Sequence, residues 1–482
     1  MDFLQITTKQ KSRKMKKINN RLFLVVLTFV AASANAADSL RVLTKNNFLG
    51  AVRSYHPVIL QSGIQVNRAA ADVQSARGGF DPMVKSNFDR KTFDGKFYYS
   101  YFNPEINIPT WYGVEFKAGV EEVIGDRVTS EASMGKSTYV GAKVPVNSLW
   151  FDKRRAVLRQ AQAMKQLSEA ERRLAINDVL FDGLTAYWTW VKDYLVYKVV
   201  SNAVTINEDR FRFVKTEYEQ GARPAIDTTE AQAQLQTFYM QQNAAWLAFV
   251  NSGNELSNYL WLDNSLPVSW SDRVVPDTAE VNDILSPSSY PSLNGILETI
   301  ATHPKLQSIG YKIDVLEIEK KLKAQYLLPK LSLSGNILNK GYGLPTDVTT
   351  PFLENNHKLG IDFSMPLLFR EARGGYKAIN FKIQETNLEQ LNIALQIENK
   401  VKSYYNEMIA LQQQVTIFDG AFSNYQKLFV GERIRFGVGE SSLFLLNTRE
   451  NKLLESAQKL LELKTKWHKT YAGLIWSTGN LQ

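Results

Sequence analysis

A proline-free run, residues 150–221, constrains the fold of this chain more than any other feature of its sequence. Apolar residues recur in it at alternating steps of three and four, which places them on one stripe of a helix and is typical of a coiled-coil seam. At 1.5 Å per residue such a helix would be about 100 Å long, far longer than the helices of ordinary globular domains. The stripe comprises Leu167, Ala170, Leu174, Phe181, Leu184, Trp188, Val191 and Leu195, with Asn177 as its polar member.

A second stripe with the same spacing lies in another proline-free run, from residue 367 to the C-terminus. Its members are Ile397, Val401, Tyr404, Met408, Leu411, Val415, Phe418, Phe422 and Tyr425. Because each seam needs a partner helix along its whole length, two such runs predict a rod or a tube of long helices.

The first 36 residues have the layout of a secretory signal peptide, and we expect cleavage after Ala36. Basic residues precede an apolar run over 22–32, which is too short for a transmembrane helix. An uncleaved N-terminal anchor is the alternative, and Met15 is an alternative start. The segment carries seven basic residues and one acidic residue, so its removal lowers the formal net charge from +9 to +3 and leaves no argument for nucleic-acid binding.

Residues that could support catalysis are scarce. The chain has no cysteine, which excludes disulfides, thiolate metal sites and thiol catalysis. It has four histidines and lacks GxSxG, HExxH and P-loop motifs. We therefore expect neither an enzyme nor a bound metal or cofactor.

Short matches in a fixed order predict that the chain consists of two repeats. His56-Pro57 recurs 247 residues later, and Gly221 recurs 218 residues later as Gly439, each in similar surroundings. We predict a first repeat over 37–262, a linker over 263–291 and a second repeat over 292–482. The first repeat would contain a β-hairpin (83–146) and a long helical hairpin (150–262), and the second a β-hairpin (330–366) and a long helical hairpin (369–477).

The segment after Pro329 changes to a period of two, which is typical of strands with one apolar face. Two strands, near 331–338 and 358–365, approach the length that crosses an outer membrane. A soluble hairpin packed on a core is the alternative. In the first repeat we expect strands near 88–93 and 138–144, with a further strand signal over 114–121, and the strand number stays open there. Its aromatic cluster, Tyr98, Tyr99, Tyr101, Phe102, Trp111 and Tyr112, fits either a membrane-interface girdle or an external loop.

The order of these motifs resembles the TolC family of outer-membrane efflux and secretion channels. The likeness covers nearly the whole mature chain, with His-Pro where the family usually has Asn-Pro. It differs from the family by three extra residues, Asn147 to Leu149, and by Leu445 and Thr448 where many members have acidic residues. The matching residues at the strand exits are Val144, Pro145, Trp150, Phe151, Asp152 and Arg155, then Met365 to Phe369 and Arg373; at the helix turns they are Tyr218, Gly221, Ala222, Arg223, Ile226, Asp227 and Glu230, then Phe436, Gly439, Ser442, Leu443 and Phe444.

The resemblance implies a mainly α fold with a membrane β-barrel portion. Long coiled-coil helices would form a periplasmic α-barrel, and a homotrimer would close a 12-stranded barrel with about four strands per protomer. Four strands cannot close a barrel alone, and unpaired strand edges in lipid are prohibitive, so membrane strands would require oligomerisation. The expected location is the outer membrane of a Gram-negative bacterium, in contact with its lipid.

The function implied by the resemblance is that of a passive exit duct in a tripartite efflux pump. Its partners would be a periplasmic membrane-fusion adaptor and, through the adaptor, an inner-membrane pump. A type I protein-secretion duct is the first alternative, and a periplasmic coiled-coil structural protein without a pore is the second.

The turns of the long helices are the candidate site. In the family these tips meet the adaptor, which gives as docking residues Gly221, Ala222, Arg223, Gly439, Glu440 and Ser442. Charged residues nearby could hold a pore shut, or could be solvated charges on helix surfaces. These gate candidates are Arg210, Glu217, Asp227, Glu230, Arg433 and Arg435.

Overall fold

The computed structural model describes residues 41–125, 135–285, 289, 291–341 and 355–481. The predicted signal peptide lies outside these residues. The helices of the described part are α1 (Lys45–Tyr55), α2 (Pro57–Arg77), α3 (Val146–Trp150), α4 (Lys153–Glu219), α5 (Ala225–Ser257), α6 (Leu293–Glu298), α7 (Pro304–Gln325), α8 (Arg370–Gly437) and α9 (Leu443–Ser477). No helix in the described ranges has both the length and the apolar composition needed to cross a bilayer.

Two helices are very long, as the stripes predicted. α4 has 67 residues and α8 has 68, so each is about 100 Å long. α4 packs along α5 to form the first helical hairpin, and α8 packs along α9 to form the second. α4 also contacts α2, α7 and α9, and α8 contacts α7. The predicted seam residues Leu184, Trp188 and Val191 of α4 and Val401 and Met408 of α8 are buried in these contacts.

Asn177, the polar member of the first stripe, has a structural explanation. Its side chain is 2% exposed, donates from Nδ2 to the Trp476 carbonyl at 3.0 Å and accepts the Leu481 N–H at 3.0 Å. Since a buried amide without partners would be costly, these two bonds allow a polar residue in the seam. Asn177 thereby fixes the C-terminal end of α9 against α4.

The two His-Pro sites cap helices. His56 precedes α2 and accepts the Val58 N–H at 3.3 Å, and His303 precedes α7 and accepts the Lys305 N–H at 3.1 Å, each through Nδ1. The prolines occupy the first helical position, where a missing N–H costs nothing.

Within the described ranges, the strands form one large sheet and two small ones. In chain order they are β1 (Arg41–Leu43), β2 (Met83–Phe93), β3 (Lys96–Pro109), β4 (Glu115–Ile124), β5 (Gly135–Pro145), β6 (Trp261–Leu262), β7 (Leu266–Pro267), β8 (Val274–Pro276), β9 (Lys330–Lys340) and β10 (His357–Ser364). The large sheet is antiparallel throughout, in the order β10-β9-β5-β4-β3-β2. The predicted linker contains β7 and β8, and β8 pairs in parallel with β1.

The expectation of about four strands per protomer is wrong for the described residues, where the large sheet has six. The segment from Pro82 to Pro145 contains four strands, and the structure describes the first two of the reversals between them. Asp94 and Gly95, both at positive φ, form a two-residue hairpin turn, which is the geometry that suits twisted antiparallel strands. Gly113, at φ +84°, belongs to the second reversal. Tyr98, Tyr99, Tyr101 and Phe102 lie in strand β3, so the external-loop interpretation is wrong for these four residues. Trp111 and Tyr112 lie in the reversal between β3 and β4.

Asn147, one of the extra residues at the strand exit, bonds to the backbone at the start of β9. Asn147 lies in the short helix α3, donates from Nδ2 to the Pro329 carbonyl at 2.6 Å and accepts the Leu331 N–H at 3.0 Å. It therefore connects the end of β5 to the beginning of β9 where the sheet meets the helices.

Substituting Gly473 with Ala is expected to destabilise the second helical hairpin by about 1–3 kcal/mol, because the added Cβ overpacks the interface. A Cβ at position 473 would lie 2.5 Å from the Tyr404 ring, which packs against Phe181 and Trp476. Gly420→Ala in α8 is the matched control: its Cβ meets nothing within 4 Å, and Ala favours a helix over Gly by about 1 kcal/mol. Thermal unfolding followed by circular dichroism should show opposite shifts of the midpoint. Shifts in the same direction would contradict the packing argument.

Candidate functional site

Each long helix reverses direction at a glycine turn. Gly221 has φ +72° after α4, and Gly439 has φ +81° after α8, conformations that favour glycine. In each turn the residue after the glycine donates its backbone N–H to the carbonyl five positions back, at 2.8 Å in the first turn and 2.9 Å in the second. This is the hydrogen bond of a Schellman motif, and it leaves both hairpins with the same tip geometry, as the repeated sequence predicted.

The two tips differ in how the returning helix begins. Ser442 caps α9 by accepting the Leu445 N–H at 3.2 Å. At the first tip, the guanidinium of Arg223 contacts the carboxylates of Glu217 and Asp227. The same guanidinium lies 4.3 Å from the centre of the Phe436 ring, on the second hairpin. Arg223 therefore combines two ion pairs within the first tip with a cation–π contact to the second.

An apolar cluster joins the two hairpins just above the tips. Since its members come from all four long helical segments, it holds the two hairpins side by side. The buried members are Val214, Ala231, Phe429, Phe436, Leu443 and Leu446.

Beyond this cluster lies an ion pair that is almost completely buried. Arg210 of α4 contacts both carboxylate oxygens of Glu450 of α9, with Nη2 at 2.9 Å from Oε1. The two side chains are 8% and 6% exposed. Asn207 donates to Glu450 at 3.1 Å and accepts from Arg210 at 3.0 Å. Bidentate geometry and added hydrogen bonds are the conditions under which a buried ion pair is tolerated.

Asn447 extends this network to a third helical segment, α5. It accepts from Arg210 at 3.2 Å and donates to Glu230 of α5 at 3.0 Å. Asn207, Arg210, Glu230, Asn447 and Glu450 form what we call the inter-hairpin network. It connects α4 and α5 of the first hairpin to α9 of the second.

A third polar group lies within the second hairpin. The carboxylate of Glu432 is 7% exposed, accepts from the Ser441 hydroxyl at 2.5 Å and lies 3.7 Å from Nε of Arg449. The nearest nitrogen of Arg435 lies 3.9 Å from the Glu432 carboxylate. The Arg435 side chain is 56% exposed. Arg433 is also exposed.

No protein-family model and no curated protein sequence matches the chain. Solved structures of outer-membrane channels do. The Campylobacter jejuni CmeC outer membrane channel matches with a TM-score of 0.63 and 15% identity, over 90% of this chain and 85% of that chain. The chain has the TolC-like fold. The Vibrio cholerae outer membrane protein VceC matches with a TM-score of 0.63 and 13% identity, over 90% of this chain and 96% of that chain. The open state of the Neisseria gonorrhoeae MtrE outer membrane channel matches with a TM-score of 0.66 and 10% identity, over 93% of this chain and 94% of that chain.

Within this TolC-like fold, the structure brings four of the six gate candidates into contacts that join helices of one protomer. Arg210 and Glu230 belong to the inter-hairpin network, and Glu217 and Asp227 contact Arg223. Arg433 and Arg435 stay at the surface of α8, apart from these groups. The docking candidates are exposed except for Arg223, which is partly buried.

Sequence reasoning missed the partners Asn207, Asn447, Glu450 and Glu432. A signal for the first three was present: Asn207 and Arg210 are three residues apart in α4, and Asn447 and Glu450 are three residues apart in α9. Residues three apart share a helix face, so each helix offers a pair of polar side chains to its partner. What the spacing lacks is any indication that the two pairs face each other.

Proposed function

We propose that this protein is an outer-membrane channel, the exit duct of a tripartite efflux pump, which passively conducts small molecules across the periplasm and the outer membrane. The observation that supports this most is the joining of a strand sheet, apolar on one exposed face, to two helical hairpins about 100 Å long. The sheet suits a bilayer, and the hairpins suit the wall of a tunnel.

The duct requires a ring of copies. The large sheet ends at two free edges, β2 and β10, in the described part of the chain. Free edges in lipid leave backbone groups without partners, so further copies must pair with them. We propose a homotrimer, as in the family that the sequence resembles.

The tips are the proposed docking surface for a periplasmic adaptor. Large apolar side chains are exposed there: Ile226 and Val438 at 68% and Phe444 at 69%. Exposed apolar groups around rigid glycine turns provide a surface that an adaptor hairpin could cover. The energy for transport would come from the inner-membrane pump that the adaptor joins.

Channel recordings of the detergent-extracted protein in planar lipid bilayers test this function. We expect three-fold particles by electron microscopy and stable single-channel currents. A protein that is soluble without detergent, monomeric or dimeric, and without channel activity would refute the duct and favour a periplasmic structural role.

Arg433 and Arg435 give a prediction about the gate. Around a three-fold axis they would place six positive charges near the narrow tip, which opposes cation passage. Arg433→Ala and Arg435→Ala are expected to raise the cation conductance. Lys459→Ala, which removes an exposed positive charge on α9 away from the tip, is the control. Equal conductance in all of these variants and the parent would contradict a gate role.

A further inference from the structure

All six strands of the large sheet share one apolar face. Residues paired across antiparallel strands point to the same face, so the register identifies its members. One row of partners runs from Val84 in β2 through Ile106, Ala118 and Val140 to Ile337 in β9. Further members of this face are Phe88, Phe102, Ile108, Phe116, Val120, Ala142, Val144, Leu331, Leu333, Leu359, Ile361 and Phe363.

This apolar face is exposed from one edge of the sheet to the other. Val84 in β2 is 78% exposed, Phe116 in β4 is 51% exposed and Ile361 in β10 is 74% exposed. It ends in polar residues at the end of the sheet far from the helices, where Lys136 lies 3.4 Å from Glu122. An apolar band with a polar rim is what the outer surface of a membrane barrel requires.

The opposite face is polar in all six strands. Its members include Lys85, Asn87, Asp89, Asn103, Glu105, Asn107, Lys117, Glu121, Ser137, Lys143, Ser332, Ser334, Asn336, Lys358 and Asp362. Polar side chains on the concave side of a barrel face a water-filled lumen.

A side-chain network on the polar face joins the additional strands to the rest. The Tyr139 hydroxyl of β5 lies 3.0 Å from both Asn103 Oδ1 and Glu105 Oε2 of β3. To reach them it crosses β4 at Gly119, where a Cβ would lie only 2.7 Å from the Tyr139 ring. The missing side chain at Gly119 of β4 thus leaves room for the Tyr139 side chain of β5 to bond to β3. This bonding argues against β2 and β3 folding away from the sheet.

We infer that each protomer contributes all six strands to the barrel wall, so that three copies close an 18-stranded barrel in which β2 of one protomer pairs with β10 of the next. This rests on the proposed trimeric channel. Five antiparallel pairings separate β10 from β2, so the two edges run in opposite directions. The junction between copies is therefore antiparallel too. Because barrel diameter grows roughly linearly with strand number, this barrel would be about 1.5 times as wide as one of 12 strands.

Disulfide trapping tests the pairing, since the parent chain has no cysteine. Ser86→Cys in β2 is combined in turn with Leu359→Cys, Ile361→Cys or Phe363→Cys in β10, all on the apolar face. Partners on adjacent strands have Cβ atoms about 4.5–5.5 Å apart, near disulfide range, whereas strands two or more apart are out of reach. We expect oxidised dimers and trimers on non-reducing gels for at least one pair.

Ala118→Cys in β4, combined with the same three β10 variants, is the matched control and should give monomers only. Cross-links through β4 without cross-links through β2 would overturn the inference, because they indicate a 12-stranded barrel that excludes β2 and β3. A trimer by mass in which no β2–β10 pair cross-links would overturn it as well. A monomer in detergent would instead refute the proposed channel itself. Electron microscopy of the unmodified protein, in which the strands are counted directly, keeps the inference testable if a variant fails to fold.

Discussion

Arg210→Met is expected to weaken the contact between the two helical hairpins by about 3–5 kcal/mol, the usual cost of removing one partner from a buried ion pair. Glu450 would keep its charge in a site where its side chain is 6% exposed. Asn207 would remain as its hydrogen-bond donor, which is too little to replace a bidentate guanidinium. Hydrogen exchange of the backbone amides of α4 and α9 near this pair measures the local opening free energy.

The double variant Arg210→Met with Glu450→Leu separates the charge from the packing. Replacing a whole buried pair with apolar residues of similar size is often neutral, so exchange should return toward the parent rate. Arg435→Ala is the control: it removes an arginine that is 56% exposed and should have little effect on the hydrogen exchange of α4 and α9. If the double variant exchanges as fast as Arg210→Met, the effect arises from lost packing and the buried-charge explanation is wrong.

Acidification from pH 6.5 to pH 4 is expected to destabilise the helical body by up to about 3 kcal/mol for each of two buried histidines. Burial lowers the pKa of His303 to about 4 and that of His468 to about 4, from an ordinary value of 6.5. Between these values the unfolded chain binds a proton that the folded protein does not. Stability is therefore complete above pH 6.5 and falls as the pH decreases toward 4.

Burial is the largest cause that keeps each ring neutral. His468 stacks on Trp188 with ring centres 4.0 Å apart. The Val281 carbonyl oxygen, 3.2 Å from Nε2 of His468, acts in the opposite direction and opposes the lowering of its pKa. Asp178 acts on His303 in the opposite direction to burial and opposes the lowering of its pKa, but burial is the larger effect.

Denaturant unfolding at a series of pH values, with His303→Asn and His468→Gln, measures this contribution. Asn can still cap α7, so the first variant retains the helix start. The double variant should lose less stability than the parent between pH 6.5 and pH 4. Carboxylates titrate in both proteins, so only the difference between them is informative, and parallel curves would contradict the histidine assignment.

The fold was predictable where apolar residues kept a single helical or strand periodicity over a whole element. The seam spacing located α4 and α8, and the period of two after Pro329 located β9 and β10. The glycines of both tips were recognisable because a helix that must reverse needs a residue that tolerates positive φ. The TolC-like fold that the family resemblance implied is confirmed by the solved structures that match the chain.

The strands between Pro82 and Pro145 and the inter-hairpin network were less predictable, for different physical reasons. In β3, Pro104 lies within the strand, and proline normally argues against a strand. Consecutive aromatic residues there also hide the alternation of faces. At the tips, α9 carries several acidic residues, and Glu450 is selected as the partner of Arg210 only by how α4 and α9 pack. Arg210 and Glu450 are 240 positions apart, so their pairing depends on tertiary contacts, which local sequence patterns do not encode.

The six-stranded sheet changes what an electrical recording of the proposed duct would report. The electrical resistances of consecutive sections of a pore add, so the narrowest section contributes most of the total resistance. An 18-stranded outer section would add little resistance compared with a constricted tip. Single-channel current should then respond strongly to changes beside Gly221 and Gly439 and weakly to changes in the lumen residues of the sheet. The barrel would act as an open vestibule, and the tip as the element that sets the current.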